Sequence, residues 1–202
     1  VMLAEGRTER VFLPALRSYL EDRVERGSLN LATRILDGSM FKGRKLRIIV
    51  ENLLNDRINP AQAVIALTDV YTGTRPPEFS DAADARRKMH EWVDDQNEGR
   101  FYPHAAQYEF EAWLLPYWDR LCGMAGKDAP PPPAVPERVN HDKPPSKWIA
   151  DLFRRSGKSY LKVRDAGRLL RQVRLDEAVA QCKELKALVN TILSLCGAPM
   201  IT

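Results

Sequence analysis

Two acidic residues each close an apolar run. Glu5 follows residues 1–4, and Asp69 follows the unbroken run 63–67 and Thr68. Such runs read as parallel strands buried on both faces, and in an open α/β sheet the strand C-termini converge on one crevice. Carboxylates gathered there lose solvation and repel each other unless something positive sits between them. Hard oxygen donors select Mg²⁺ or Mn²⁺ for that place. Taken singly, each residue also has a plain structural use, Glu5 at a helix N-terminus and Asp69 in a turn.

The elements that must position these acids can be read from periodicity. After Glu5 and Gly6, Thr8 stands where a helix N-cap is expected, and Phe12, Leu16 and Tyr19 recur at helical spacing. Residues 29–36 form a second strand, and a helix follows with Leu46, Ile49, Val50, Leu53 and Leu54 on its apolar face. Asn59-Pro60 breaks it, and the strand ending in Asp69 comes next. Gly73, Pro76 and Pro77 make a loop, and a third helix runs from Ser80 to about Glu98, with Ala85, Met89, Trp92 and Val93 buried. Residues 101–106 are a fourth strand and 109–118 a helix. Four strand–helix alternations with right-handed crossovers predict a small parallel sheet covered by helices on both faces. The prolines of 119–145 predict an extended connector, and 146–202 holds only helical patterns, expected to pack on the 1–118 core as a single structural unit.

Composition narrows the function classes. The 202 residues hold one good core, no apolar run reaches the roughly 18 residues of a membrane span, and no secretory leader is visible at Val1. Cys122, Cys182 and Cys196 are odd in number and lack metal-finger spacing, so a reducing cytoplasm is their simplest home. His90, His104 and His141 show no ligand spacing, although His104 falls on the fourth strand just ahead of Glu109. No Walker A sequence is present, so nucleotide hydrolysis would need another subunit. The four tryptophans sit at apolar helical positions and read as core. Tyr71 as a topoisomerase-like nucleophile is disfavoured, because strand passage needs further domains.

The net charge is only +4, yet residues 151–174 carry eight basic side chains against two acidic ones. Arg154, Arg155, Lys158, Arg164 and Arg168 belong to this segment, which either binds a polyanion such as nucleic acid or forms a solvated helix face.

Three segments together carry a resemblance. Glu5-Gly6-Arg7-Thr8-Glu9 is similar to the strand-to-helix motif of Toprim domains, and Thr68-Asp69-Val70-Tyr71 resembles their Asp-x-Asp strand. With Tyr108-Glu109-Phe110-Glu111-Ala112-Trp113-Leu114 added, the set resembles the Toprim-like domain-of-unknown-function family 4276, related to the Toprim nucleases of the overcoming-lysogenization-defect group. The resemblance implies that Glu5 and Asp69 hold Mg²⁺ or Mn²⁺, with Glu111, and beside it Glu109, as further candidate ligands. It also implies that Lys162, in Tyr160-Leu161-Lys162 ahead of Asp165-Ala166-Gly167, steadies charge on the phosphorus. Tyr71 replaces the second Asp of many Toprim sites. For Glu109 and Glu111, backbone periodicity matters: on a helix already begun at Glu109 they point to opposite sides and only one reaches an ion, whereas a chain still extended through Phe110 puts both on one face and lets both reach it. The motif selects Glu111.

The expected function is a cytoplasmic metal-dependent nuclease with Glu5, Asp69 and Lys162 as catalytic residues. It acts on nucleic acid, DNA favoured over RNA, without a membrane. The resemblance adds an ATPase partner and a role in defence against phage or foreign DNA, and oligomers are allowed. Two alternatives stay open. One is a non-catalytic subunit binding nucleic acid or an ATPase through a site degenerate at Tyr71; the other is primase-like nucleotidyl transfer.

Overall fold

The computed structural model describes the whole chain except residues 39–40, 72–76, 94–98, 133 and 140–142, and at Arg7 it describes the backbone alone. The loop at Gly73 and Pro76, the helix end towards Glu98, and His141 lie outside the described residues. The elements run β1 (Met2–Glu5), α1 (Arg7–Glu21), β2 (Thr33–Leu36), α2 (Gly43–Leu54), β3 (Val64–Asp69), α3 (Ala82–Val93) and β4 (Phe101–Ala106). A 3-10 helix, Phe110–Tyr117, leads into α4 (Trp118–Ala125), and after a short 3-10 turn at Pro136–Arg138 come α5 (Pro145–Arg155), α6 (Lys162–Leu170), α7 (Asp176–Gln181) and α8 (Lys183–Leu195).

The four strands form one parallel sheet in the order β2-β1-β3-β4. Because successive side chains of a strand point to opposite faces, each run divides between two cores. Met2, Ile65, Leu67 and Ala106 join α1, the 3-10 helix and the C-terminal helices. Leu3, Val64, Ala66, Phe101 and Ala105 join α2 and α3. The expected parallel sheet with helices on both faces is therefore the observed fold class. No helix among the described residues is long and apolar enough to cross a membrane.

Three elements differ from expectation. β2 is confined to four residues at the sheet edge, with Thr33 and Arg34 exposed, since only that stretch registers against β1. The segment expected as an extended connector begins with α4, because Trp118, Leu121, Cys122 and Ala125 recur at helical spacing ahead of the prolines. Gly126, at φ +79°, closes that helix by donating to Cys122 O at 2.8 Å, a left-handed stop that glycine adopts without strain. The N-cap of α1 is Gly6 rather than Thr8.

Candidate metal and phosphodiester site

The pleat that sorts the core also sets the site. Ala4 pairs with Leu67, so Glu5 continues on the same face as Thr68, whereas Asp69 points to the other. The Thr68 hydroxyl accordingly donates to Glu5 Oε2. Asp69 Oδ1 accepts the Phe110 N–H at 2.8 Å. That bond depends on Tyr108, the one described non-glycine residue at positive φ (64°), which reverses the chain between β4 and the 3-10 helix. Glu5 and Asp69 thus leave the sheet on opposite faces and meet over its C-terminal edge.

Gly6, at φ +92°, turns the chain so abruptly that the first turn of α1 brings Glu9 back over the strand end. A Cβ at Gly6 would stand 2.9 Å from Glu9 Oε2, and one at Gly38 would overlap the Glu5 carboxylate. Gly6 is held to glycine by its positive φ, whereas a larger residue at Gly38 would have to push the Glu5 carboxylate aside. Glu9 escaped the sequence reading, which treated the acid after Thr8 as part of a motif and assigned it no role. The available signal was its place four residues after Glu5 across a glycine turn.

Glu111, 1% exposed, enters the same cleft from the 3-10 helix. Lys162 Nζ lies 3.1 Å from Glu111 Oε1 and 3.6 Å from Glu109 Oε1. The Glu111 contact is an ion pair off the line of a hydrogen bond, since that buried oxygen has no properly directed partner. Glu109, extended at φ −146°, turns away to the start of α5, where it accepts the Ser146 N–H at 2.9 Å and the Ser146 hydroxyl at 3.1 Å. Lys162 is held by its own motif. Asp165 accepts the Leu161 N–H at 2.7 Å at the N-terminus of α6, and Gly167 lets α6 close on Val11 of α1, where an added Cβ would sit at 3.4 Å.

Glu5, Glu9, Asp69, Glu111 and Lys162 line one cleft of about 210 Å³, with Tyr71 at its rim. A larger cleft of about 460 Å³ between α1 and α6 has Asp22 as its one acid. Burial is the main force on the acids. It pushes Glu9 up to about 7, helped by Glu111 and Glu5, and raises Asp69 well above the usual carboxylate range, helped by Glu9, Glu111, Glu109 and Glu5. Burial also raises Glu5 against the Thr68 hydrogen bond, and Glu111 against Lys162. Lys162 itself loses solvation, yet its pKa is raised because Glu111 and Glu109 hold its charge. Among the described residues, no three His, Cys, Asp or Glu side chains are already gathered in a geometry that would hold a metal ion.

The basic candidates do not form one patch of unengaged cations. Arg154 pairs with Asp151 at 2.7 Å and Arg164 with Asp165 at 2.8 Å. The Lys158 ammonium donates to Ala125 O at 2.7 Å and so caps the C-terminus of α4. Arg155 and Arg168 are exposed. His104 stands outside the cleft, buried in β4 with Nε2 3.0 Å from the Thr191 hydroxyl, and burial lowers its pKa to about 4.

The acidic cleft thus lies at the strand C-termini of an open parallel α/β sheet, the edge at which ligands commonly bind in this fold class. The chain belongs to the family described as domain of unknown function 4276 (DUF4276), which matches residues 4–193. Among solved structures it is similar to the C-terminal region of the Burkholderia pseudomallei OLD protein, with 17% identity and a TM-score of 0.50 over 96% of this chain and 95% of that one. That likeness bears on the fold. No curated protein matches the chain.

Proposed function

We propose that this chain is a Toprim-type nuclease, dependent on Mg²⁺ or Mn²⁺, that hydrolyses phosphodiester bonds of nucleic acid, DNA in preference to RNA. We further propose that it works in the cytoplasm with an ATPase partner, in defence against phage or foreign DNA. One observation carries the proposal: four carboxylates and one lysine share a cleft at the strand C-termini. The fold likeness to an OLD C-terminal region and the three Toprim-like motifs support it.

The donor set fits a hard divalent ion. It is all carboxylate oxygen, and acids that raise one another's pKa are relieved by a dication between them. When bound, the ion would polarise the scissile phosphate and lower the pKa of the attacking water. The chain's own groups supply the rest. Thr68 orients Glu5 through Oε2 and the Phe110 amide fixes Asp69 Oδ1, and the ligand would be met by the other oxygens of the two carboxylates. Hydrolysis forms a new P–O bond to the water oxygen and breaks one ester bond; Glu5 takes the proton the attacking water releases and returns it to solvent, and the departing oxygen takes a proton from solvent water. Lys162, cationic throughout, offsets charge building on the phosphoryl oxygens. Its pairing with Glu111 shows that it reaches the cleft.

The decisive experiment is nicking of supercoiled plasmid by the purified chain. Cleavage with Mn²⁺ that stops in EDTA is expected. No cleavage of plasmid or oligonucleotide with any divalent ion, alongside retained DNA binding, would instead support the non-catalytic subunit, the reading that Tyr71 in place of a second Asp favours.

Glu111 and Glu109 are expected to differ. Glu109 is committed to Ser146, whereas Glu111 faces the cleft. Glu111→Gln should weaken Mn²⁺ binding by at least about tenfold, and Glu109→Gln should have a smaller effect, exerted through Lys162. Titration calorimetry compares the two, and a larger loss in Glu109→Gln would reverse the assignment.

A further inference from the structure

We infer that the groove between α1 and α6 is a binding site for a small amphipathic organic anion, an apolar body ending in a carboxylate, sulfonate or phosphate, and that its occupancy is felt in the acidic cleft. The site stands apart from the proposed nuclease chemistry; only the coupling refers to it. Successive turns of α1 line the groove at Val11, Ala15 and Tyr19, and Gly167, Leu170 and Val173 line it from α6 and the turn that follows. Residues 11, 15 and 19 share one side of the helix because they are four apart. Val11, Ala15 and Val173 are half-buried: each packs against the main core and still leaves apolar surface at the groove. At about 460 Å³ the groove falls within the roughly 300–1,000 Å³ of small-molecule sites, which combine apolar walls with a few placed polar groups.

Charge selects the ligand. Arg10, Arg171 and Arg174 line the groove against one acid, Asp22. Arg174 is matched by Asp22 at 2.9 Å and Asp176 at 3.1 Å, so the net positive charge of the lining comes from Arg10 and Arg171, both exposed. Arg171 reaches back along α6, with Nη1 3.5 Å from where a Cβ at Gly167 would stand. Its guanidinium is thus beside the apolar wall, and a planar guanidinium pairs well with a carboxylate, sulfonate or phosphate. A cation next to apolar surface calls for both features in one molecule. A nucleic-acid backbone would satisfy the arginines but leave the apolar wall in water. The coupling comes from the walls themselves. Val11 is two residues beyond Glu9 on α1 and Gly167 five beyond Lys162 on α6, and Glu9 and Lys162 both line the acidic cleft. An occupant touching both helices fixes their spacing, and with it the placement of Glu9 against Lys162.

Two dyes of similar shape provide the test: anilinonaphthalenesulfonate and its uncharged parent phenylnaphthylamine, each titrated by fluorescence into the folded chain. The sulfonate is expected to saturate at one per chain and to bind at least about tenfold more tightly than the parent. Arg10→Ala combined with Arg171→Ala, both surface changes, should weaken the sulfonate about tenfold and leave the parent unchanged. Ala15→Leu, which fills the groove, should weaken both dyes at least about tenfold, and thermal denaturation checks that each variant is folded. Equal binding of the two dyes, or an arginine double variant that binds the sulfonate like wild type, overturns the inference. Displacement of the sulfonate by an oligothymidylate also overturns it, by assigning the arginines to nucleic acid. For the coupling, Mn²⁺ affinity is measured by calorimetry with and without saturating sulfonate. A change of at least about fivefold is expected, and by linkage Mn²⁺ changes the affinity for the sulfonate by the same factor. Unaltered Mn²⁺ affinity removes the coupling, whereas no Mn²⁺ binding in either state sinks the metal proposal and leaves the groove as the site.

Discussion

Glu5→Gln and Asp69→Asn are each expected to lower metal-dependent phosphodiester cleavage by at least about a hundredfold, the scale on which removal of one preorganised electrostatic group acts. Both changes keep the local hydrogen bonds. An Asn amide oxygen still accepts the Phe110 N–H, and a Gln oxygen still accepts the Thr68 hydroxyl. What disappears is one negative charge from a cluster whose members oppose one another. Metal-free thermal stability should therefore hold or rise in both variants, which separates lost chemistry from lost fold. Stability is read by thermal denaturation in EDTA and activity by plasmid nicking. A variant that cleaves like wild type removes that residue from the site, and one that loses activity only by unfolding leaves its role unsupported.

Much of this site was legible because burial and alternation act on short segments. Residues 63–67 are apolar throughout, which only a strand covered on both sides requires, and β3 has that character. Its end marked Asp69, and the shorter run before Glu5 marked the neighbouring strand. Glu9 was not legible in the same way. Its arrival in the cleft depends on Gly6 at positive φ and on α1 starting at Arg7, whereas composition pointed to Thr8 as the cap. The helical periodicity invoked for Glu109 and Glu111 does not reach Glu109, which is extended at φ −146° ahead of the 3-10 helix, and its partner was not legible either. Ser146 lies 37 residues away, past the proline segment. Lys158 illustrates the limit of charge counting. In the sequence it is one more cation in a basic stretch, and only packing puts its ammonium on the carbonyls that end α4. Packing also turns the start of the segment expected to be an extended linker into a helix, because Trp118, Leu121 and Cys122 find the core before Pro130 is reached.

Stability in the absence of metal should expose the cluster through Glu9. Its carboxyl is pushed up to about 7 in the folded chain from the ordinary 4.5, and it is 5% exposed, so solvent screens it little. A group whose folded pKa is raised binds its proton more tightly when folded. The stabilisation is complete below the unfolded value and is lost as pH climbs through the folded one. For Glu9 the window runs from about 4.5 to about 7, and the full loss is on the order of 3 kcal/mol. Asp69, Glu5 and Glu111, also raised, act in the same direction. His104 acts in the opposite one. Its lowered folded value, about 4 against 6.5, gives stability that is present above 6.5 and lost on acidification, so wild-type stability alone would hide the carboxylate effect. Comparison with Glu9→Gln removes that interference, because both proteins carry His104. In EDTA at pH 8 the Gln variant should be more stable than wild type by on the order of 3 kcal/mol, and the gap should close near pH 4.5. Urea denaturation at the two pH values measures it. Mn²⁺ at pH 8 should narrow or reverse the gap, since an ion bound by the native carboxylates stabilises wild type by mass action and the variant less. A gap that is the same at both pH values would mean that Glu9 does not ionise against its neighbours, and a gap untouched by Mn²⁺ would separate Glu9 from the metal.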